Sequence, residues 1–153
     1  MGLPEAIICD LDSTLCDISN RAKYADAGDW DKFHEDVTKD TPNDWCVKIL
    51  DAMQQVNPSL QVLFVTARPE ELRAQTSAWL QKNLPIYVFA NSDLYMKPDD
   101  HETRNATEYK RHVYQDSIKD NYNVLFALED ANSVVAMYRA EGLTVLQPAD
   151  NHW

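Results

Sequence analysis

Five short apolar runs punctuate this chain, at residues 6–9 (AIIC), 62–65 (VLFV), 86–90 (IYVFA), 124–128 (VLFAL) and 143–146 (LTVL). Each is followed or preceded by a stretch with helical periodicity. Runs of four or five consecutive apolar residues suit strands buried on both faces, the signature of a parallel sheet covered by helices. Between the first two runs, Thr41-Pro42-Asn43-Asp44 reads as a helix start with proline at the first helical position, and Trp45, Ile49, Leu50, Met53 and Val56 follow on one face. Further amphipathic helices are predicted over 70–82 (Leu72, Thr76, Trp79, Leu80), 106–118 (Tyr109, Val113, Ser117) and 131–141 (Val134, Val135, Tyr138), the last ended by Gly142. Strands alternating with helices predict an α/β fold: three Rossmann-like layers, a five-stranded mainly parallel sheet with helices on both faces. Ligands of such sheets sit at the carboxyl ends of strands, near the point where strand order reverses. Polar residues directly after strands are therefore the candidates for chemistry.

At 153 residues and 44% apolar composition, with no internal repeat or linker, the chain is expected to form one domain over 1–153. Residues 19–44 are acidic, poor in aliphatics and long for a connection, which fits either a small cap insert over a site or a solvated excursion. The formal charge of -11 repels polyanions, so a broad nucleic-acid track is disfavoured and phosphate binding must rest on local groups and a metal. The start of the sequence lacks a basic leader, and no stretch approaches the roughly 20 apolar residues of a membrane span, so a soluble, cytoplasmic protein with no membrane contact is expected. Gly2 would suit myristoylation only with Ser or Thr at position 6, which is Ala6. Cys9, Cys16 and Cys46 are odd in number and lack metal-finger spacing, which points to reduced thiols.

Three strand ends carry polar groups. The first run leads into Asp10-Leu11-Asp12-Ser13-Thr14, two acids two apart with hydroxyls beyond. A calcium loop would need Gly at its sixth position and Glu at its twelfth, where the chain has Leu15 and Arg21. A purely structural pair of carboxylates would repel each other, and a divalent cation relieves that. The second run leads into Thr66-Ala67-Arg68-Pro69; the hydroxyl suits a phosphate oxygen, and the proline biases Arg68 away from helix so that its guanidinium can point into the crevice. The fourth leads into Glu129-Asp130, which alone would be unremarkable acids at a helix start. Together the three ends form a far more specific set.

These segments resemble motifs of the haloacid dehalogenase (HAD) superfamily phosphatases. The run DLDSTLCDISNR with Arg21, then TAR at 66–68, Lys110, and LEDANSVVAMYRAEGLTVLQ resemble the 3'-phosphatase domain of phage-type polynucleotide kinase/phosphatase. No G-x-x-x-x-G-K-[ST] kinase loop occurs in these 153 residues. The resemblance implies a magnesium-dependent phosphomonoester hydrolase. In it, Asp10 takes the phosphoryl group as nucleophile and Asp12 acts as general acid and then general base. It further implies phosphate contacts from Thr66 and Lys110, a metal site of Asp10, Asp12, Glu129 and Asp130, and substrate contacts from Ser13, Thr14, Arg21, Ala67 and Arg68. Lys97-Pro98 also resembles a superfamily lysine motif, but Lys110, 19 residues before Glu129, has the phage-type spacing and is preferred. The family places an acid four residues before that lysine, where this chain has Ala106.

The implied substrate is the phosphorylated 3' end of DNA or RNA; a nucleotidase acting on free nucleoside monophosphates is the alternative. No obligate protein partner is implied. A non-catalytic binding module would be expected to have lost Asp10, Asp12 or Asp130, and all three are present. Arg21 and Arg68 are expected at the mouth of the crevice, and Tyr24, Trp30 and Phe33 supply aromatic rings in the cap-like segment that suit either core packing or a terminal base.

Overall fold

The computed structural model describes residues 2–98 and 105–152. Strand β1 (Glu5–Cys9) is central. The chain then makes a tight turn, a two-residue strand β2 (Cys16–Asp17), short helices α1 (Ala22–Asp26) and α2 (Trp30–Glu35), a 3₁₀ turn Val37–Lys39, and β3 (Thr41–Pro42), which pairs antiparallel with β2. Helix α3 (Asp44–Val56) leads to β4 (Gln61–Pro69), α4 (Arg73–Asn83), α5 (Ile86–Ala90) and β5 (Ser92–Lys97). Helix α6 (Ala106–Val113) runs into a π-helical turn Tyr114–Ile118, followed by β6 (Asn123–Leu128), α7 (Asn132–Ala140) and β7 (Val145–Leu146). The large sheet has order β5-β4-β1-β6-β7 with every pairing parallel, so the expected five-stranded α/β sheet is borne out. The chain builds outward on one side of β1 and then crosses to the other, which puts the reversal point at the end of β1.

Strand alternation divides the core. Ile7, Cys9, Val62 and Phe64 pack with Cys46 and Leu50 of α3, Trp79 and Leu80 of α4, and Val88 of α5. Ala6, Ile8, Leu63 and Val65 face the other way, onto Tyr109 and Val113 of α6 and Val134, Val135 and Tyr138 of α7. Each fully buried side chain of this kind contributes roughly 1.5–3 kcal/mol of transfer free energy.

Two expectations are corrected. The run 86–90 is helix α5, and the edge strand is β5, sequence SDLYMK. Ile86 is 83% and Tyr87 43% exposed while Val88 is buried, a helical rather than alternating pattern; the helix packs against α3 and α4. The true strand escapes the apolar search because it lies at the sheet edge with only Met96 buried, so Ser92, Asp93 and Lys97 are tolerated there. The second concerns Pro42, which lies in β3 rather than opening α3. The helix starts at Asp44 after Asn43, whose side-chain amide donates instead to the Thr14 carbonyl at 2.8 Å. The buried face of α3 is Cys46, Leu50 and Gln54, leaving Trp45 and Val56 exposed. No described helix is long and apolar enough to cross a membrane.

In a strand, positions 86 and 88 would share a face; in a helix they diverge by about 200°. Val88→Ala is therefore expected to lower stability in urea unfolding by roughly 1.5–3 kcal/mol, and Ile86→Ala by less than about 0.5 kcal/mol. Comparable losses at both positions would refute the helix.

Candidate active site

The backbone leaving β1 is held by the sheet and then bends sharply. The Asp10 amide donates to the Leu128 carbonyl at 3.0 Å, extending the β1–β6 ladder by one residue, and the Thr14 and Cys16 amides both fold back onto the Leu11 carbonyl. Ser13 adopts φ 66°, the left-handed region, at the position that reverses the chain. This extension sends Asp10 and Asp12 into two different environments.

Asp10 is 6% exposed and accepts from Lys110 Nζ at 2.7 Å; the same ammonium donates to Glu129 Oε2 at 2.7 Å. Oxygens of Asp10, Glu129 and Asp130 all lie within 4.8 Å of one another. Asp130 is oriented by the Thr14 hydroxyl at 2.9 Å and the Asn151 amide at 2.8 Å. Glu129 Oε1 accepts from the Asp130 and Ala131 amides at 3.1 Å. Three buried carboxylates thus cluster, and one ammonium bridges two of them. Burial pushes the Asp10 carboxyl up to about 8, with Lys110 opposing and Asp130 adding to the rise. Burial and then Asp10 push Glu129 up to about 7. Burial pulls the Lys110 ammonium down, but Asp10 and Glu129 more than offset this and its net shift is upward.

Asp12 lies between two guanidiniums. Arg21 Nη2 donates to it at 2.5 Å and Arg68 Nη2 at 2.6 Å. Both arginines also reach Asp40, Arg21 at 2.6 Å and Arg68 at 3.2 Å, closing a four-residue network of balanced charge. Burial would raise the Asp12 carboxyl, yet Arg68 and Arg21 outweigh it and hold the group well below the usual carboxylate range. Arg21 also donates to the Phe33 carbonyl at 2.8 Å and lies over its ring at 4.3 Å, while the Asp40 carbonyl accepts from the Trp79 indole at 2.8 Å.

A cavity of about 670 Å³ opens above the β1 and β4 ends. Its lining includes Asp10, Asp12, Thr66, Ala67, Arg68, Lys110, Glu129 and Asp130, so most of the sequence-predicted residues converge on one space. Thr66 is buried there, its hydroxyl accepting from the Arg68 amide at 3.1 Å. Lys97 and Ala106 line the cavity too, but it is Lys110 that reaches the carboxylates.

Three expected substrate contacts sit elsewhere. Ser13 is taken up by the turn, Thr14 by Asp130, and Arg21 is 1% exposed behind Asp12; none of them lines the cavity. Arg68 lines it but is also 1% exposed with its fork engaged, so neither arginine lies free at the mouth as expected: carboxylates of the chain itself claim them. Sequence reasoning missed Asp40, one acid among many in an acidic segment, and Asn151. It also passed over His34, which lines the cavity alongside Trp30 and Phe33. Residues 19–44 therefore form part of the wall of the cavity.

Residues 4–153 match the family described as the polynucleotide kinase PNKP phosphatase domain. A putative bifunctional polynucleotide kinase/RNA ligase of Autographa californica nuclear polyhedrosis virus is 24% identical over 136 residues, covering 89% of this chain and 18% of its own length. A chain of the Pnkp1/Rnl/Hen1 RNA repair complex superposes with a TM-score of 0.80 at 27% identity, covering 99% of this chain and 44% of that one. The chain thus spans less than half the length of these relatives. The class C acid phosphatase of Bacillus anthracis, at TM-score 0.66, 14% identity and coverage of 100% and 69%, shares the fold. With all but the first three residues matched, on a sheet whose central strand leads into Asp10, this chain belongs to the HAD-type phosphatase-domain family of polynucleotide kinases.

Proposed function

We propose that the chain is a magnesium-dependent 3'-phosphatase of nucleic-acid ends acting through an aspartyl-phosphate at Asp10. The observation that carries this reading is the pairing of Asp10 with Lys110 in a cavity whose other wall presents Thr66 and the Arg-bound Asp12. The names of the relatives speak of an RNA ligase and an RNA repair complex, which puts RNA ends first among substrates to test.

The residues fit a magnesium ion. Asp10, Glu129 and Asp130 offer hard oxygens, and Lys110 leaves them two charges short of balance; burial, with Asp130 adding to it, lifts Asp10 to about 8 despite Lys110. These three carboxylates, with the Asp12 carbonyl, would hold it. When bound, it neutralises charge that otherwise keeps a carboxylate from approaching a phosphate dianion. Asp10 attacks phosphorus through a carboxylate oxygen as the bond to the 3' oxygen breaks, and Asp12 delivers a proton to that oxygen. Water then attacks the phosphorus, its proton passes to Asp12, and the bond to Asp10 breaks to release inorganic phosphate. The guanidiniums keep Asp12 ionised, ready to act as base in the second step. The proton that Asp12 takes from water in the second step is the one it delivers in the first step of the next turnover, and an arriving phosphate dianion, opposing the guanidinium charge, favours that protonated form. Thr66 and Lys110 bear on the transferred oxygens. Asp40 is a positioning residue, fixing the two arginines that fix Asp12.

Asp10→Asn is expected to remove turnover by several orders of magnitude without unfolding the chain. The panel that tests the substrate is phosphate release from 3'- and 5'-phosphorylated RNA and DNA oligonucleotides and from 3'- and 5'-mononucleotides. Release from 3' ends is expected to dominate and to vanish with chelator; equal rates on free mononucleotides would favour the nucleotidase reading. Asp40→Asn leaves Arg21 and Arg68 bearing on Asp12 alone, so kcat should drop about tenfold or more and the limb of the pH profile due to Asp12 should move to lower pH. An unchanged profile would remove Asp40 from the mechanism.

Stability supplies a test independent of turnover. Asp10 and Glu129 titrate higher in the folded chain than unfolded, so the metal-free protein binds extra protons when folded, and that contribution is lost as pH rises through about 7 to 8. The melting temperature without metal should fall between pH 5.5 and 8.5, magnesium should raise it more at pH 8.5, and Asp10→Asn should flatten the slope. A larger magnesium effect at the acid end would contradict the carboxylate site.

A further inference from the structure

Trp30 is 48% exposed, an unusual state for the largest apolar side chain when the other rings of its segment are largely sequestered. Phe33 is 4% exposed and lies beneath the Arg21 guanidinium, and Tyr24 is half-buried with Lys23 and Lys32 near its face. The free surface of Trp30 borders the same cavity as Asp10, Asp12 and Lys110. One turn later on α2, His34 lines that cavity too, its ring centroid 6.5 Å from that of Trp30 with the planes only 30° apart. Phe33 props Trp30 edge-on, centroids 5.5 Å apart at 86°.

We propose that Trp30 and His34 form a stacking platform for the base of the terminal nucleotide whose 3' phosphate sits at Asp10. This rests on the reading of the chain as a phosphatase of nucleic-acid ends and adds how such an end is held. The Phe33 prop is itself pinned by Arg21, the side chain that holds Asp12, so the platform and the acid–base residue are mounted on one fixed network. Residues around the platform, Asp29, Asp31 and Glu35 against Lys32, are acidic on balance and would repel a phosphodiester track. A flat π-face attracts a base without needing positive charge, and is tolerant of which base it meets. Burial holds the His34 imidazole below its ordinary value, which leaves it a neutral ring at pH 7.

The test compares KM for two oligonucleotides carrying a 3'-phosphate, one with a normal terminal nucleotide and one whose terminal nucleotide is abasic, in the wild-type chain and in Trp30→Ala and Trp30→Phe. In the wild type the base-bearing end should have a KM about tenfold lower than the abasic end. Trp30→Ala should close that gap, and Trp30→Phe should retain most of it. A wild-type KM that ignores the base overturns the platform without need of any variant, as does a gap that survives Trp30→Ala. If the wild type releases phosphate from neither oligonucleotide while hydrolysing other phosphomonoesters, the substrate reading itself fails and the platform falls with it; normal turnover with no base effect sinks the platform alone.

Discussion

Charge balance at the end of β1 is the constraint on which the rest of the site depends. Two aspartates two residues apart in sequence enter surroundings of opposite sign. Asp10, buried beside Glu129 and Asp130 with one lysine, is pushed towards protonation chiefly by burial, whereas Asp12 joins Asp40 around two arginines and is pushed towards ionisation. The same residue type thus acquires two characters from environment alone. The uncompensated negative charge on the Asp10 side supports the proposed reading, in which a divalent cation and a phosphate dianion would each supply the charge that the other needs.

The balanced side does structural work. Arg21 comes from the start of α1, Asp40 from just before β3, Arg68 from the end of β4, and Asp12 from the turn after β1. A fully satisfied buried network of this kind fixes geometry strongly, and removing one member leaves an uncompensated charge behind. The acidic excursion of residues 19–44 is tied by it to the sheet. The two-residue ladder of β2 and β3 and the Asn43–Thr14 hydrogen bond make the same connection through backbone.

Much of the fold was legible because the strands nearest the centre are buried on both faces and so appear as unbroken apolar runs. Legibility failed at the edge: β5 carries Ser92, Asp93 and Lys97, and the apolar run before it is a helix whose Ile86 points outward. Among the site residues, those following β1, β4 and β6 were readable because strand ends converge by topology. Lys110 was readable only through its spacing from Glu129. The arginines were placed in the wrong surroundings because their partner Asp40 carries no local signal; nothing in an acidic stretch says which carboxylate turns inward. Trp30 and Phe33 were equally ambiguous until burial separated them.

The all-parallel sheet with β1 at its centre also fixes an order of events during synthesis. Cys9 pairs with Phe64 on one side and Leu128 on the other, so β1 gains its second neighbour only after residue 128 has been translated. At roughly 5–20 residues per second, its apolar edge waits on the order of ten seconds for β6. Non-local pairing of this kind folds slowly and leaves strand edges open meanwhile. Asp10 is thus made well before Glu129 and Asp130, so a nascent chain stalled before β6 would lack two of the three clustered carboxylates and be prone to misassociation.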